Sequence, residues 1–567
     1  MEKKNIFIII LICIVIASIP IILLVVNIVT EDDGEGEVNH APVINSYYPL
    51  VDPSINETET QEFNISATDP DGDPLTYGWY LNGTKVGGNY PNYIFDANYN
   101  PYSIYTVKVN VTDGDQVASR SWTLTVNIIW SAEDCPGAPE DITRDQIIKV
   151  GIIGDTERTM GEGALQGALL AAEEINEAGG IVMNDTAYYI GIVSENTDEA
   201  NPILDTSKAV IAANKLINYY KVDYAAGSFR TEAALAYQPL FAEKKIVFWN
   251  TGAASPVLTH NVLDDHDTYK YYFQPSPQNV SGLADNIIKL ILGTAFFNSL
   301  PVEMGGLGFP ILNFSFMRED LAWTGDFAEA MIDSLTSNTL WNMTYTGFDL
   351  AVPLDITVVQ MEAYWDAIDD ARTQIVIPIF SGGTGLTFCQ SYASKQPKCL
   401  PIGINVVTQD GDFWEDSDGT CEYGVGLEAI FETNKTVKTL DFWSAYEDAY
   451  DELPVYTAVG TYDSIYQLAW ALEETQSMDP DDIVDVLEGL SSTNYLVGAG
   501  GWVYYDNSHC TWLGWPFSTA LAIQWYDGSK QLVPGDLLYP SGGFMWPYAL
   551  LNMQPLVLPS WKIWGQP

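Results

Sequence analysis

The sequence predicts an α/β protein with two doubly wound parallel-sheet lobes joined by a hinge, preceded by a small N-terminal all-β sandwich and a transmembrane helix. Three observations predict it. Residues 148–181, IKVGIIGDTERTMGEGALQGALLAAEEINEAGGI, pass from an apolar strand through a glycine-bearing polar loop into an amphipathic helix closed by Gly179-Gly180. That is one β-loop-α unit of an open parallel sheet, whose ligand sites lie beyond the strand's carboxyl end. From residue 145 to 567 strand and helix patterns alternate, whereas residues 41–130 alternate apolar and polar positions between turn residues. A chain of 567 residues also exceeds what one hydrophobic core supports.

The amino terminus comes first. After Glu2-Lys3-Lys4 an apolar run extends from Ile6 to Val29, broken only by Ser18, Pro20 and Asn27. It is long enough to cross a hydrocarbon core as a helix and longer than an ordinary signal-peptide apolar region. Residues 1–30 therefore favour an uncleaved anchor over a cleaved signal, with Lys3 and Lys4 inside and the bulk of the chain extracellular. Cys13 lacks the small residues that precede a lipidated cysteine. Residues 31–40, EDDGEGEVNH, read as a disordered acidic linker. Asn-x-Ser/Thr sites at Asn56, Asn64, Asn82, Asn110, Asn184, Asn279, Asn313, Asn342 and Asn434 suit an exterior glycoprotein.

Within residues 41–130, FNISATD, LTYGWYLNG, YTVKVNVTDG and RSWTLTVN carry the period of half-buried strands. APVINSYYP, DPDGDPLTYGWYLNG and YTVKVNVTDGD resemble PKD-type and cadherin-like (Ig-like) surface modules, with Trp79 as the buried tryptophan. Asp69, Asp71 and Asp73 offer carboxylates at alternate positions, as a structural Ca²⁺ site or as a tight turn capped by Asp side chains. Either way the module reads as a spacer.

Formal charge is −51, from 75 acidic and 24 basic residues. Phosphate neutralisation needs clustered Lys and Arg, so nucleic-acid binding is excluded. Five cysteines lie beyond the anchor, an odd number, with Cys389 and Cys399 the expected disulfide. The four histidines form no cluster with them, which argues against a zinc centre; His260, His266 and His509 are expected as solvated loop side chains. GEGALQG lacks the dinucleotide spacing, no phosphate-binding GxxxxGKS/T loop occurs, and no Ser/His/Asp set is suggested. No enzymatic activity and no cofactor other than that Ca²⁺ are expected.

Beyond residue 145, strands are expected at 148–153, 189–193, 224–226, 246–249, 311–314, 375–380, 402–405 and 424–431, with helices such as AALAYQPLFAEK and VVQMEAYWDAIDDA between them. The opening unit, GSFRTEAALAYQPL, WNTGAASPVLT, the late pair YDSIYQLAWALEETQSMDPDDIVDVLEGL and the closing ALAIQWYDGSKQLVP come in the order of one family. The region closely resembles type I periplasmic solute-binding proteins, the leucine/isoleucine/valine-binding family of ABC importers.

The resemblance implies a site. Thr231 takes the hydroxyl position that holds a ligand α-carboxylate, completed by the loop at Gly252 and Ala254. From the residues alone Thr231 also reads as an ordinary N-cap with Glu232 in the first turn. Ala254 stands where relatives have a threonine. Asn405 stands where an acidic residue holds the ligand ammonium, with Gln409, Asp410 or Asp412 as substitutes. Met160 occupies the first loop, Trp323 the position of an aromatic lid, Ser381 the strand end FSGG, and Tyr456 the interlobe crossing. Arg230 and Glu232 are expected to be solvated. The implied function is a membrane-anchored, extracellular substrate-binding protein that closes on an amino acid or related carboxylate and delivers it to an ABC permease. The alternative is a sensing or adhesive receptor on the same fold.

Overall fold

The computed structural model describes residues 38–56, 59–97, 104–127, 130–201, 205–276, 279–299, 311–337, 343–512, 517, 520–533 and 556–565. The expected anchor at residues 1–30 and the first seven residues of the linker lie outside them. Among the described residues no helix is long and apolar enough to cross a membrane. The chain divides into two compact units: residues up to Leu50 with Glu62–Tyr93 and Val107–Ser121, and Val51–Gln61 with Ile94–Thr106 and all from Trp122 onward.

In the smaller unit, strand Val43–Tyr48 runs antiparallel to Thr60–Thr68, and Thr76–Leu81 pairs antiparallel with residues 107–112, Trp79 opposite Val109. Alternate residues are buried in Thr60–Thr68 (Phe63 and Ile65) and along residues 105–111, as a period of two requires. Trp79 is fully buried against Phe63 and Tyr93, and its Nε1 donates to the Tyr90 carbonyl at 2.9 Å. The three aspartates do not share one point. Asp69 Oδ1 accepts the Asp71 and Asp73 amides at 2.8 and 3.3 Å, the Asx-turn geometry. The Asp71 carboxylate is taken by the backbone N and Nδ1 of His40, a residue expected in the linker.

The larger unit contains both lobes. The first lobe is a six-stranded sheet in the order 181–183, 186–196, 147–154, 224–227, 247–250, 272–273. Its pairings are parallel except for the Ile181–Met183 hairpin, with Ile148 opposite Ile190 and Val150 opposite Tyr224. The second lobe repeats the order: 344–352, 313–319, 375–380, 400–401, all parallel. In each sheet the chain starts in the middle and winds outward both ways, so the loops after its first and third strands diverge and leave a crevice. The apolar run IVIPIF at 375–380 is buried throughout, as expected of a central parallel strand covered on both faces.

The glycines of GEGALQG serve packing. A Cβ on Gly167 would lie 2.1 Å from the Ala458 carbonyl oxygen, so helix Thr159–Glu177 lies against helix Tyr456–Thr475 with backbones nearly touching. Gly167→Ala is expected to force the two helices apart and cost about 1–3 kcal/mol, read as a lowered urea midpoint with unchanged far-UV circular dichroism at zero denaturant.

The cysteine expectation is corrected. Cys389 and Cys399 are both free and buried, as are Cys135, Cys421 and Cys510. Helix Thr384–Lys395 continues past Cys389 and holds it on the buried face, where Asn405 Nδ2 lies 3.5 Å from its sulfur. Burial pushes the Cys389, Cys399 and Cys510 thiols up, which leaves them unreactive.

Candidate functional site

A cavity lies between the lobes at the carboxyl ends of both sheets. The first lobe lines it with Phe229–Glu232, Gly252, Ala254 and Ser276, the second with Leu321, Trp323, Ser381, Ile404, Val406 and Gln409. Residues from the late segments, Lys435, Tyr456, Asp463 and Trp502 among them, close it. Most of the wall is apolar and the polar groups are few, the usual make-up of a small-molecule site.

Arg230 is the central first-lobe group. It adopts extended dihedrals (φ −88°, ψ 138°) and is itself the N-cap of helix Thr231–Glu243, without a side-chain cap hydrogen bond. Thr231 is therefore the first helical residue and not the cap. The helix-start amides, which carry partial positive charge, remain open to an anion. Contrary to the solvated side chain expected from sequence, Arg230 is only 5% exposed. Its backbone N–H donates to Glu199 Oε2 at 3.0 Å, its Nη1 donates to the Asn201 carbonyl at 3.2 Å, and its buried Nε has no partner among the described residues. Burial pushes the Glu199 carboxyl up to about 8, so it is neutral at pH 7 and does not repel an anion beside Arg230.

Across the cleft stands Glu319, fully buried at the end of strand Asn313–Glu319. It accepts the Ser381 amide at 2.9 Å, the Ser381 hydroxyl at 2.6 Å and the Gly382 amide at 3.0 Å. A Cβ on Gly382 would be 3.1 Å from Arg230 Nη2 and 3.6 Å from Glu319 Oε1, so cation and anion flank one point where the lobes approach. A second pair of charges faces the cavity. Lys435 Nζ donates to the Ala429 carbonyl at 2.7 Å, and burial lowers its amine to about 7. Asp463 accepts the Ala499 and Gly500 amides at 2.7 and 2.8 Å, and burial raises it to about 6.

Of the residues singled out from sequence, Thr231, Gly252, Ala254, Trp323, Ser381 and Tyr456 line the cavity. The loop's backbone groups are already engaged: Gly252 O accepts the Tyr456 hydroxyl at 3.1 Å and Ala254 O accepts the Val280 amide at 2.7 Å. Two expectations are corrected. Asn405 is not in the wall, because alternate residues of an extended segment face opposite ways. Its neighbours Ile404 and Val406 reach the cavity, while its Nδ2 donates inward to Gly385 O at 3.1 Å. Gln409, held in reserve as its substitute, does line the cavity. Met160 is buried under helix Tyr456–Thr475, its carbonyl accepting from Thr457 Oγ1 at 2.6 Å. Glu319, Lys435 and Asp463 were missed, since only tertiary proximity marks them.

Residues 148–512, well over half of the chain, match the family model described as periplasmic binding protein. Among curated proteins, Leu/Ile/Val-binding protein homolog 8 of Brucella abortus (strain 2308) is 24% identical over 382 residues, covering 65% of this chain and 85% of the relative. Among the solved structures similar in fold are two with a bound ligand. One is a branched-chain amino acid transporter substrate binding protein from Streptococcus pneumoniae in complex with isoleucine, with TM-score 0.55 and 17% identity over 70% of this chain and 100% of that one. The other is a solute binding protein of an ABC transporter from R. palustris in complex with benzoate, with TM-score 0.53 and 17% identity over 69% and 96%.

Proposed function

Since the chain belongs to the periplasmic binding protein family, we propose that it captures a small carboxylate with an apolar body, an amino acid or an aromatic acid, for an ABC importer. The observation that carries this is Arg230: a buried guanidinium whose Nε has no partner among the described residues, at a helix start, in an otherwise mostly apolar cavity between two lobes. The ligand carboxylate lies against Arg230, Thr231 and the helix-start amides, where charge-assisted hydrogen bonds are strongest. Trp323, Ile404 and Val406 pack on its apolar body. Closure brings the Glu319 lobe onto the ligand and is driven by contacts made only in the closed state. The names of the Brucella relative and of the two ligand-bound neighbours support this choice of ligand class.

The wider setting belongs to the same proposal. The apolar run behind Lys3-Lys4 anchors the chain, and the PKD-like module serves as a spacer. A thermal-shift screen with leucine, isoleucine, benzoate, short peptides and sugars tests the ligand class. Upward shifts confined to carboxylates support it. A shift with sugars alone, or none with any class, rejects it and favours the receptor reading.

Affinity for the carboxylate is expected to fall as pH rises from about 6 to 9. Lys435, at about 7, loses its positive charge in that window, and Glu199, at about 8, gains a negative one. The sign for folding follows the same shifts. Glu199 is raised above its unfolded value, so its contribution is complete at acid pH and is lost as pH climbs through 8. Titration calorimetry of Glu199→Gln should show a flatter pH profile than the parent chain, and an unchanged profile would remove Glu199 from the account.

A further inference from the structure

Three side chains from separate segments of the first lobe meet away from the apolar cavity wall. His266 opens the short helix His266–Tyr269, Glu488 ends helix Pro480–Glu488, and His509 sits in the turn after Asp506 with φ +56°. Glu488 Oε1 is 2.7 Å from His266 Nε2 and 2.9 Å from His509 Nε2. Each residue offers one ligand atom, and the three atoms lie within 4.8 Å of one another. Among the described residues this is the one His/Cys/Asp/Glu group so gathered.

The protons make the arrangement informative. His509 Nδ1 is 2.9 Å from the Tyr272 carbonyl oxygen, which can only accept, so Nδ1 carries the ring proton. In the neutral ring Nε2 is then a bare lone pair, aimed at an ionised carboxylate oxygen. Two acceptors at that distance require positive charge between them, either a second ring proton or a cation. An Nδ1–H fixed on a backbone carbonyl with Nε2 presented outward is the orientation found in metal-ligating histidines. The ring plane is also set: Phe273 stacks on His509 at 4.3 Å and 9°, and His509 is 2% exposed. The His266 side chain is 49% exposed and that of Glu488 33%, which leaves an entry path from solvent.

The geometry points to a binding site for a divalent transition cation of the zinc class, held by His266 Nε2, His509 Nε2 and a Glu488 carboxylate oxygen. Two imidazole nitrogens with one carboxylate suit Zn²⁺, Co²⁺, Ni²⁺ or Cu²⁺, whereas Ca²⁺ and Mg²⁺ take oxygen ligands. Bonds of about 2.0–2.2 Å in a tetrahedron set donors roughly 3.3–3.6 Å apart. Glu488, at a helix end, gives way by about half an ångström to reach that spacing. Water takes the fourth position on the exposed side. The cation clamps the turn at His509, beside the Gln274–Cys510 bridge that returns the chain to the first-lobe sheet. Thr511, two residues on, lines the ligand cavity. His266 is exposed, as expected from sequence, whereas His509, expected as a solvated loop side chain, is buried.

The test titrates the full chain, freed of metal with a chelator, with ZnCl2 by calorimetry and with CoCl2 by visible absorption. One equivalent of Zn²⁺, a raised melting temperature and a Co²⁺ d–d band of nitrogen/oxygen ligation are expected. His266→Ala and Glu488→Gln should each weaken Zn²⁺ binding at least tenfold, while exposed His260→Ala leaves it unchanged. The Co²⁺ spectrum of the unsubstituted chain decides the matter should a variant misfold. No stoichiometric uptake, or uptake that survives both substitutions, overturns the proposal and leaves an imidazolium–carboxylate contact.

Discussion

Arg230→Met should weaken binding of the carboxylate ligand by about 2–5 kcal/mol, the range for truncating one partner of a buried charge pair. At about 1.4 kcal/mol per tenfold this is roughly 30- to several-thousand-fold in Kd. Methionine keeps the length and apolar stem of the side chain, so the loss reports the guanidinium. Arg230→Lys should fall between, because an ammonium keeps the charge but loses the planar fork that meets a carboxylate at two points. Calorimetric titration with whichever carboxylate gives the largest thermal shift is the measurement. The fold should tolerate the change, since among the described residues Arg230 gives the protein one side-chain hydrogen bond, to the Asn201 carbonyl. An affinity within threefold of the parent would mean that the helix start does not hold the anion.

The largest effect on stability is expected at Lys530. Its Nζ lies 3.1 Å from Glu428 Oε1 with both side chains nearly sealed from solvent, 5% and 6% exposed, and it also donates to the Gln409 carbonyl at 2.6 Å. Lys530→Met removes the cation and leaves the carboxylate buried alone, at a cost of about 3–5 kcal/mol. Glu428 is already raised by burial, against the pull of Lys530. A raised carboxyl contributes most when protonated, so the deficit of the variant should widen as pH rises from the acid range to neutrality. Replacing both members, with Lys530→Met and Glu428→Leu, should restore most of the loss. Urea denaturation followed by circular dichroism at two pH values checks all three expectations, and a double variant no better than the single would refute the ion-pair account.

Much of the architecture was legible in the chain because long apolar strands and amphipathic helices carry their period openly. The helix expected at VVQMEAYWDAIDDA forms as Val358–Asp370 with Ala371 as its C-cap, and that expected at AALAYQPLFAEK forms as Thr231–Glu243 with Lys244 as its C-cap. Strand Thr344–Val352 was missed: TYTGFDLAV sits at the sheet edge and buries only its last residue fully, so its hydrophobic signal is weak. The strand expected at 402–405 is instead two short pairings, Leu400–Pro401 and Ile404–Asn405, separated where Gly403 lies against the Pro378 backbone. For the site, motifs located the loops but not the direction of each side chain. Thr231 and Trp323 could be placed because each lies in the first turn of a helix. Asn405 failed because one residue of slip in an extended segment reverses the face. The partnership of Glu319 with Ser381 spans 62 residues and leaves no local mark.

The near-contact of the two helices at Gly167 and Ala458 bears on how the protein is made. Met160 and Thr457, which meet in the same interface, are 297 residues apart. A chain elongating at about 5–20 residues per second needs roughly 15–60 s to supply the second helix after the first. Through that interval the first lobe has its central strands but lacks the helix that covers one face, and its apolar surface has no native partner. Folding of that lobe is therefore completed only after nearly all of the other lobe has been synthesised, and a chain released early would leave both lobes unfinished. Truncation into separate lobes would meet the same obstacle, whereas cutting the chain ahead of Trp130 would leave the interface intact.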